Sequence, residues 1–249
     1  MLGENNVRLF CTDLDGTLLG DSDECDRFSK AWENHVVDRP FLVYSTGRLD
    51  GDAKRVIHEH KMPQPDYYIS GVGTMIFDTN SETMLSSFSE LLNEGWDLAE
   101  VTKLVSKISG IRRQPEEQQH PWKSSWFWKE RSAEEIEDLR GSLKEAGLSA
   151  QIIYSTSLDL DVLPLAANKG NALQWLAKEL GVRLDEIVVA GDSGNDSSMF
   201  KVPSVRGIAP SNSSPELLRE IENSPVFRAK GSRTSGVIEG LSHYGVFVS

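Results

Sequence analysis

The 249-residue chain is predicted to have an α/β fold, with helices covering both faces of a largely parallel sheet. Short apolar runs alternate along the chain with stretches in which apolar residues recur every three to four positions, which indicates strands connected by helices. Each apolar run is followed by a polar loop. A hydrophobic content of 39% and a charged content of 26% are typical of a globular protein with a sizeable core.

The strands of this sheet are predicted from five apolar runs. They cover residues 7–11, 41–45, 67–69, 187–190 and 205–208. Two helices between them are predicted from apolar positions that share one face. These positions are Ala53, Val56, Ile57 and His60 in the first helix, and Ala172, Leu173, Leu176, Ala177 and Leu180 in the second. Gly181 directly follows the second series and predicts its end.

The middle of the chain has a different pattern, which predicts an inserted domain. Strand, helix, strand, helix and strand follow one another there, separated by turn-forming stretches. One helix is expected between residues 98 and 108. The other is expected to begin at Ser132, which forms a capping box with Glu135 three residues later. The predicted domains are a core of residues 1–78 and 164–249 and a smaller α+β insert of residues 79–163.

One strand predicted within the insert carries a concentration of tryptophan. Alternation along the strand places Trp122, Trp126 and Trp128 on one face, and Lys123 and Ser125 on the opposite face. The tryptophan face is expected to pack on the two helices of the insert rather than to stack on a sugar ring. The opposite face either contacts a polar substrate or is solvated.

The charge and hydropathy of the chain disfavour several classes of function. A formal net charge of −12 disfavours binding to nucleic acid or to an acidic membrane surface. No apolar run approaches the roughly 20 residues that span a bilayer, so no membrane-spanning segment is predicted. Residues 1–6 lack the basic and apolar regions of a secretory signal, and a cytoplasmic location is expected. Cys11 and Cys25, the two cysteines, are expected to be reduced thiols.

Two carboxylates lie in the turn that follows the first predicted strand. Residues 13–17 read Asp-Leu-Asp-Gly-Thr. A turn beside a buried strand gains no stability from Asp13 and Asp15, because like charges repel and must be desolvated. The pair therefore argues for a bound metal, a proton-transfer role or both. A solvated turn is the alternative for this motif taken alone, since Asp and Gly are common turn residues.

Two further loops are suited to holding an anion at the same edge of the sheet, where folds of this class bind ligands. After the second strand, Thr46 supplies a hydroxyl and Gly47 permits close approach to free backbone amides. This arrangement suits a phosphate oxygen, and a helix cap is the alternative. Lys169 lies in the first turn of a predicted helix, where its charge opposes the helix dipole. An anion bound nearby would explain such a lysine.

The loop after the fourth predicted strand adds two more acids. Residues 191–196 read Gly-Asp-Ser-Gly-Asn-Asp, so Asp192 and Asp196 would face Asp13 and Asp15 at one sheet edge. Four carboxylates cannot coexist there without a cation, and an all-oxygen set suits Mg²⁺ together with water and a substrate phosphate. A solvated acidic loop is the alternative, which the ordered occurrence of all four loops disfavours.

With these four loops in this order, the sequence resembles the haloacid dehalogenase superfamily of phosphatases. Within that superfamily it is similar to the sucrose-phosphate phosphatase family, and the similarity includes the insert. The segments that carry it are Gln-His-Pro-Trp-Lys-Ser-Ser at residues 119–125, Leu-Asp-Leu-Asp-Val-Leu-Pro at 158–164, Gly-Asp-Ser-Gly-Asn-Asp at 191–196 and Ser-Asn at 211–212. The resemblance implies a Rossmann-like core and identifies the insert as a mobile cap domain.

The resemblance also implies phosphoryl transfer to a carboxylate. Asp13 would attack phosphorus to form an aspartyl-phosphate, and Asp15 would protonate the leaving sugar oxygen and then activate water. Thr46 and Lys169 would hold the phosphoryl oxygens. The residues expected to bind Mg²⁺ are Asp13, Asp15 through its main-chain carbonyl, Asp192 and Asp196. The residues expected to bind the substrate or to orient it are Arg48, Gln119, Lys123, Ser125, Asp161 and Asn195.

The implied substrate is a small-molecule sugar phosphate, with sucrose 6-phosphate and a related disaccharide phosphate, such as mannosylfructose phosphate, as the candidates. Leu49, Asp50 and Met75 replace residues that are usual in the family, and these changes flank the expected sugar pocket rather than the phosphate. The resemblance also implies association with the upstream sugar-phosphate synthase, and the sequence indicates no oligomeric state. A phosphomutase of the same superfamily and a non-catalytic sugar-phosphate-binding domain are the alternative functions.

Overall fold

The structure, a computed structural model, describes residues 7–20, 22–34, 39–155 and 157–247. Two β-sheets organise this part of the chain. The strands are β1 (Leu9–Thr12), β2 (Phe41–Ser45), β3 (Tyr67–Ser70), β4 (Met75–Asp78), β5 (Thr83–Met84), β6 (Arg112–Arg113), β7 (Ser124–Phe127), β8 (Ala150–Ser155), β9 (Asp159–Pro164), β10 (Ile187–Ala190), β11 (Arg206–Ala209) and β12 (Val226–Arg228). The helices are α1 (Ser22–Glu33), α2 (Asp50–Glu59), α3 (Ser86–Leu91), α4 (Leu98–Val105), α5 (Ala133–Glu145), α6 (Lys169–Glu179), α7 (Ser197–Phe200), α8 (Pro215–Glu220) and α9 (Arg233–His243).

The larger sheet confirms the α/β class. Its eight strands lie in the order β12-β11-β10-β1-β2-β3-β4-β5. The strands from β12 to β3 pair in parallel, and β4 and β5 extend the sheet in antiparallel fashion. All five predicted strands are present in it. The apolar core that packs on this sheet includes Phe10, Phe28, Trp32, Leu42, Tyr44 and Val188.

Strand β1 lies in the middle of this sheet and determines where the functional loops emerge. All four of its residues are buried, as expected for a strand that is covered on both faces. In the parallel register, Thr12 lies opposite Ala190 of β10 on one side and Tyr44 of β2 on the other. The loops after these three strands therefore leave the same edge of the sheet, with Asp13 in the middle.

The chain divides into two units. Both boundaries between them lie slightly later in the chain than the boundaries of the predicted insert, residues 79–163. The core unit spans Met1–Leu85 and Asn168–Ser249, and the cap unit spans Ser86–Ala167. At the first boundary, the two-residue strand β5 pairs with β4 and therefore belongs to the core sheet. At the second, β9 continues to Pro164 within the sheet of the cap unit.

The cap unit is built on a four-stranded antiparallel sheet with the order β6-β7-β9-β8. Helix α5 begins after Ser132, whose side chain accepts from the backbone of Glu135 in the predicted capping box. The apolar faces of α4 and α5 pack with the sheet in one cluster. This cap cluster includes Val101, Val105, Trp126, Trp128, Leu139, Leu143, Leu160 and Val162.

The prediction for the tryptophan face is confirmed for two residues and wrong for the third. Trp126 and Trp128 are buried in the cap cluster. Strand β7 begins only at Ser124, so its alternation does not extend back to Trp122. The indole N–H of Trp122 instead donates to Asn93 Oδ1 at 2.9 Å.

The prediction for the two cysteines is confirmed. Cys11 and Cys25 are both buried and free, Cys11 in β1 and Cys25 in α1. Among the described residues, no helix has both the length and the apolar character needed to cross a membrane.

Replacing Leu160 with alanine is expected to destabilise the cap unit by about 2–5 kcal/mol, because its fully buried side chain would leave a cavity in the cap cluster. Leu158→Ala is the matched control, since Leu158 is 37% exposed. Urea unfolding followed by tryptophan fluorescence would measure both variants, with Trp126 and Trp128 reporting on the cap unit. Equal unfolding midpoints for the two variants would contradict this account of the cap cluster.

Candidate active site

A buried lysine between two carboxylates forms the centre of the site at the carboxyl edge of the core sheet. Asp13 follows β1, Lys169 is the first residue of α6, and Asp196 ends the short helical turn after β10. Lys169 Nζ lies 2.6 Å from Asp13 Oδ1 and 2.6 Å from Asp196 Oδ1. All three side chains are buried. The fold thus brings together three predicted site residues from distant parts of the chain.

The charges in this cluster change the pKa values of its members. Burial alone lowers the pKa of Lys169, but the charges of Asp13 and Asp196 outweigh burial and raise that pKa above its ordinary value. Burial raises the pKa of Asp13 against the opposing effect of Lys169, and the carboxylate of Asp196 raises it further. Burial also raises the pKa of Asp192. One ammonium group therefore faces three carboxylates, which leaves an excess of negative charge.

The carboxylate of Asp196 is held from both of its oxygens. Oδ1 contacts Lys169, and Oδ2 accepts from the backbone N–H groups of Asp192 and Ser193, both at 3.0 Å. The loop must turn tightly to bring these groups together. A Cβ atom at Gly191 would lie 2.5 Å from Asp196 Cβ, so the first glycine of the loop is needed for this approach.

Contacts between two loops hold Asp192 beside the turn after β1. Its Oδ1 accepts from Thr17 Oγ1 at 2.8 Å. Gly16 has a φ of +84°, and a Cβ atom there would lie 2.5 Å from Asp192 Oδ2. The Asn212 side chain donates to the Gly16 carbonyl at 2.8 Å and accepts from the Arg233 backbone N–H at 2.7 Å. Asn212 therefore links this turn to the start of α9.

Asp15 lies beside the buried cluster and is held by Arg48. Arg48 Nε donates to Asp15 Oδ2 and Arg48 Nη2 donates to Asp15 Oδ1, both at 2.7 Å. The side chain of Asp15 is 50% exposed, so its carboxylate is accessible from solvent. The sequence predicts that Arg48 binds substrate, whereas the contacts seen here are with the carboxylate that is predicted to act as acid and base.

Two other predicted residues take part in local hydrogen bonds of their loops. Thr46 is buried, and its Oγ1 accepts from the Arg48 backbone N–H at 3.1 Å. Asn195 is exposed, and its Oδ1 accepts from Ser193 Oγ at 2.9 Å. Their predicted contacts with a phosphoryl group stay predictions.

Lys169 owes its position to the start of α6. Asn168 caps that helix, with its side chain accepting from the Asn171 backbone N–H at 2.8 Å. Gly73 has a φ of +85° and packs directly on this segment, since a Cβ atom there would lie 2.3 Å from the Asn168 carbonyl carbon. Neither Gly73 nor Thr17 has a role among the residues predicted from the sequence. The position of Thr17 in the Asp-Leu-Asp-Gly-Thr motif is a sequence signal that could have identified it. The contact of Gly73 is visible only in the fold.

In the cap unit, the four predicted substrate-binding residues form one polar cluster. Lys123 Nζ lies 3.2 Å from Asp161 Oδ2, and Ser125 Oγ donates to Asp161 Oδ1 at 2.6 Å. Gln119 Oε1 accepts from the Ser125 backbone N–H at 2.9 Å. Lys123 and Ser125 are both buried, so the alternative of a solvated face is wrong for these two residues.

The acidic residues of the core unit fit a divalent cation. Carboxylate oxygens of Asp13, Asp192 and Asp196 all lie within 4.8 Å of one another. Such an all-oxygen donor set is what Mg²⁺ prefers, and a doubly charged ion would balance the excess negative charge around Lys169. The contribution of the Asp15 main-chain carbonyl to this set stays a prediction.

A family comparison identifies the group of proteins to which this site belongs. Residues 6–245 match the family model described as sucrose-6F-phosphate phosphohydrolase. The chain belongs to the sucrose-6F-phosphate phosphohydrolase family. Members of this family are phosphoric monoester hydrolases, and the chain is assigned to that enzyme class. The resemblance to sucrose-phosphate phosphatases is thereby confirmed.

Individual relatives agree with the family. The chain is 40% identical over 242 residues to the mannosylfructose-phosphate phosphatase of Agrobacterium fabrum. This match covers 96% of this chain and 98% of that protein. It is 35% identical over 251 residues to sucrose-phosphatase 1 of Nicotiana tabacum, where 96% of this chain matches only 59% of that protein. The chain therefore spans about three fifths of the plant relative.

A solved structure confirms the fold. The X-ray structure of the sucrose-phosphatase from Synechocystis sp. PCC6803, determined in complex with sucrose and phosphate, matches with a TM-score of 0.87 and 30% identity. The match covers 98% of this chain and 100% of that one. The core and cap architecture is thus that of a haloacid dehalogenase phosphatase.

Replacing Lys169 with methionine is expected to lower the free energy of unfolding by about 3–5 kcal/mol, because two buried carboxylates lose their cationic partner. Lys178→Met, at an exposed position of the same helix, is the control and should change it by less than about 0.5 kcal/mol. Guanidinium unfolding with a metal chelator present would measure both variants without compensation by a bound cation. Equal stability of the two variants would show that Lys169 does not neutralise this cluster.

Proposed function

We propose that the protein is a Mg²⁺-dependent phosphatase that hydrolyses a disaccharide phosphate through an aspartyl-phosphate intermediate. The observation that carries this proposal is the buried Lys169, which lies 2.6 Å from both Asp13 and Asp196 with Asp192 nearby. A structural ion pair has no need for a third acid, which is the half-buried Asp192 here. A site that must accept a phosphate dianion next to a carboxylate nucleophile needs positive charge. Lys169 supplies one ammonium group, and the acids around it would hold a further cation.

Asp13 is the proposed nucleophile. One of its carboxylate oxygens attacks phosphorus, a bond from that oxygen to phosphorus forms, and the bond from phosphorus to the sugar oxygen breaks. Lys169 neutralises charge between the anionic nucleophile and the anionic phosphate. Thr46, at the next loop of the sheet edge, and Lys169 hold the phosphoryl oxygens, and Asn195 orients the loop that carries Asp196.

Asp15 is the proposed acid and base. It gives a proton to the leaving sugar oxygen in the first step. In the second step it takes a proton from the water that attacks phosphorus, which releases inorganic phosphate and regenerates Asp13. The half-exposed position of the Asp15 carboxylate supports this role, because water can reach it.

The metal site is proposed from the same residues. Asp13, Asp192, Asp196 and the main-chain carbonyl of Asp15 would hold Mg²⁺. When bound, this ion would stabilise negative charge on the phosphoryl group during transfer.

The cap unit is proposed to supply sugar specificity. Lys123 offers donors and Asp161 offers acceptors, which is the combination that recognises sugar hydroxyl groups. The 40% identity to a mannosylfructose-phosphate phosphatase favours mannosylfructose phosphate, whereas the structural match to a sucrose-phosphatase favours sucrose 6-phosphate. Both relatives support a disaccharide phosphate.

Phosphate release from a panel of esters would test the proposed function. The panel contains sucrose 6-phosphate, mannosylfructose phosphate, hexose monophosphates and p-nitrophenyl phosphate, each with Mg²⁺ and with chelator. We expect turnover to require Mg²⁺ and kcat/KM to be at least about 100-fold higher for one disaccharide phosphate than for the monophosphates. Asp13→Asn should abolish release, and it also controls for contaminating activity. Asp23→Asn is the matched acid-to-amide control, because Asp23 lies at an exposed position on α1, and its activity should be unaffected. Undiminished release by Asp13→Asn would contradict the assigned nucleophile.

Replacing Lys123 with alanine is expected to reduce kcat/KM for the disaccharide phosphate by about 10-fold or more, because a buried cation of the cap polar cluster is lost. Hydrolysis of p-nitrophenyl phosphate should change little, since that ester has no sugar to recognise. Lys129→Ala is the control, because the Lys129 side chain is 73% exposed. Equal loss on both esters would remove Lys123 from sugar recognition.

A further inference from the structure

A row of charged side chains connects Asp15 with helix α2. Arg48 uses Nε and Nη2 to hold both oxygens of Asp15 at 2.7 Å, and its remaining nitrogen, Nη1, donates to Asp52 Oδ2. Asp52 Oδ1 accepts from Arg55 Nη2, and Arg55 Nη1 donates to Glu59 at 2.9 and 3.0 Å. Every nitrogen of the Arg48 guanidinium therefore has a carboxylate partner.

The pair of Asp15 and Arg48 would hold its geometry only weakly without further contacts. The two side chains are 50% and 29% exposed, and exposed ion pairs contribute little because solvent screens them and long side chains move. A guanidinium that binds a carboxylate through two nitrogens lies in the plane of that carboxylate. The orientation of the Arg48 plane therefore determines the orientation of the Asp15 carboxyl group.

Asp52 adds a third contact to that plane from a position on a helix. It lies in the first turn of α2, where the helix dipole favours an acidic side chain. Arg55 holds one of its oxygens while Arg48 binds the other. Burial would raise the pKa of Asp52, but the hydrogen bonds from Arg55 and Arg48 outweigh it and lower that pKa. Asp52 is thus an anion that accepts from two arginines.

We infer that Asp52 is a positioning residue for the phosphatase reaction, acting through Arg48 to orient the Asp15 carboxyl group toward the leaving oxygen. The inference rests on the proposed function, in which Asp15 is the acid. As the bond from Asp13 to phosphorus forms and the bond from phosphorus to the sugar oxygen breaks, that oxygen takes the proton of Asp15. A carboxyl group that rotates away cannot deliver it.

The basicity of the leaving group separates this role from a general structural one. A sugar alkoxide is strongly basic and needs a proton as it leaves, whereas p-nitrophenolate leaves readily as an anion. The parameter kcat/KM includes only the steps up to the first phosphoryl transfer, so the later role of Asp15 as a base does not enter. A misplaced acid therefore reduces kcat/KM for the sugar phosphate selectively.

The test compares Asp52→Asn, Asp52→Glu and Glu59→Gln with the unmodified enzyme, using the preferred disaccharide phosphate and p-nitrophenyl phosphate. For Asp52→Asn we expect kcat/KM to fall by about tenfold or more on the sugar phosphate and by less than about threefold on the aryl ester. Asp52→Glu should recover most of the selective loss, because it restores an anion within reach of Arg48. Glu59→Gln, at the far end of the row, should leave both values unchanged.

Two results would overturn the inference, and they are distinguishable from failure of the proposed function. If the unmodified enzyme is active, equal losses of Asp52→Asn on both esters, or no loss on the sugar phosphate, would contradict the positioning role alone. An unmodified enzyme that releases no phosphate from any sugar phosphate would contradict the proposed function and, with it, the inference.

Discussion

The ammonium group of Lys169 is the interaction on which the arrangement of the active site depends. Asp13 and Asp196 come from loops that are far apart in sequence, and their carboxylates lie in a buried place where like charges repel strongly. Asn168 caps the N-terminus of α6, and this helix start places the Lys169 ammonium group between the two carboxylates. Because this charge is fixed by the start of a helix, the two acids can be buried side by side and still attract a further cation.

Close approach of backbone to side chain makes the rest of the site possible. Parallel pairing delivers three loops to one edge of the sheet, but backbone and side chains approach closely there only where glycine leaves room. Gly16 lies against Asp192, Gly191 lies against Asp196, and Gly73 lies against Asn168. These three contacts explain why a site of four charged side chains is surrounded by glycine. Charge and backbone geometry are thus parts of the same arrangement.

The sequence predicted more of the site than of the boundaries around it. The acids and Lys169 stand in loops whose order and spacing identify them, and the capping box of α5 is a local signal that depends on two residues only. The boundary of the cap was placed too early because β5 is recognisable as a strand only through its pairing with β4. The prediction for Trp122 was wrong for a related reason, since alternation predicts a face only as far as the strand extends.

The sequence by itself determined the α/β class, the presence of an insert and the charged residues that gather at the sheet edge, because these follow from hydrophobic period and from motifs within short segments. The tertiary structure decided which charges are partners. Arg48 contacts Asp15, and Lys123 contacts Asp161, over separations in the chain that no periodicity encodes. Electrostatic interactions act through space and depend on burial, so they are settled only when the sheet edge and the cap sheet are assembled.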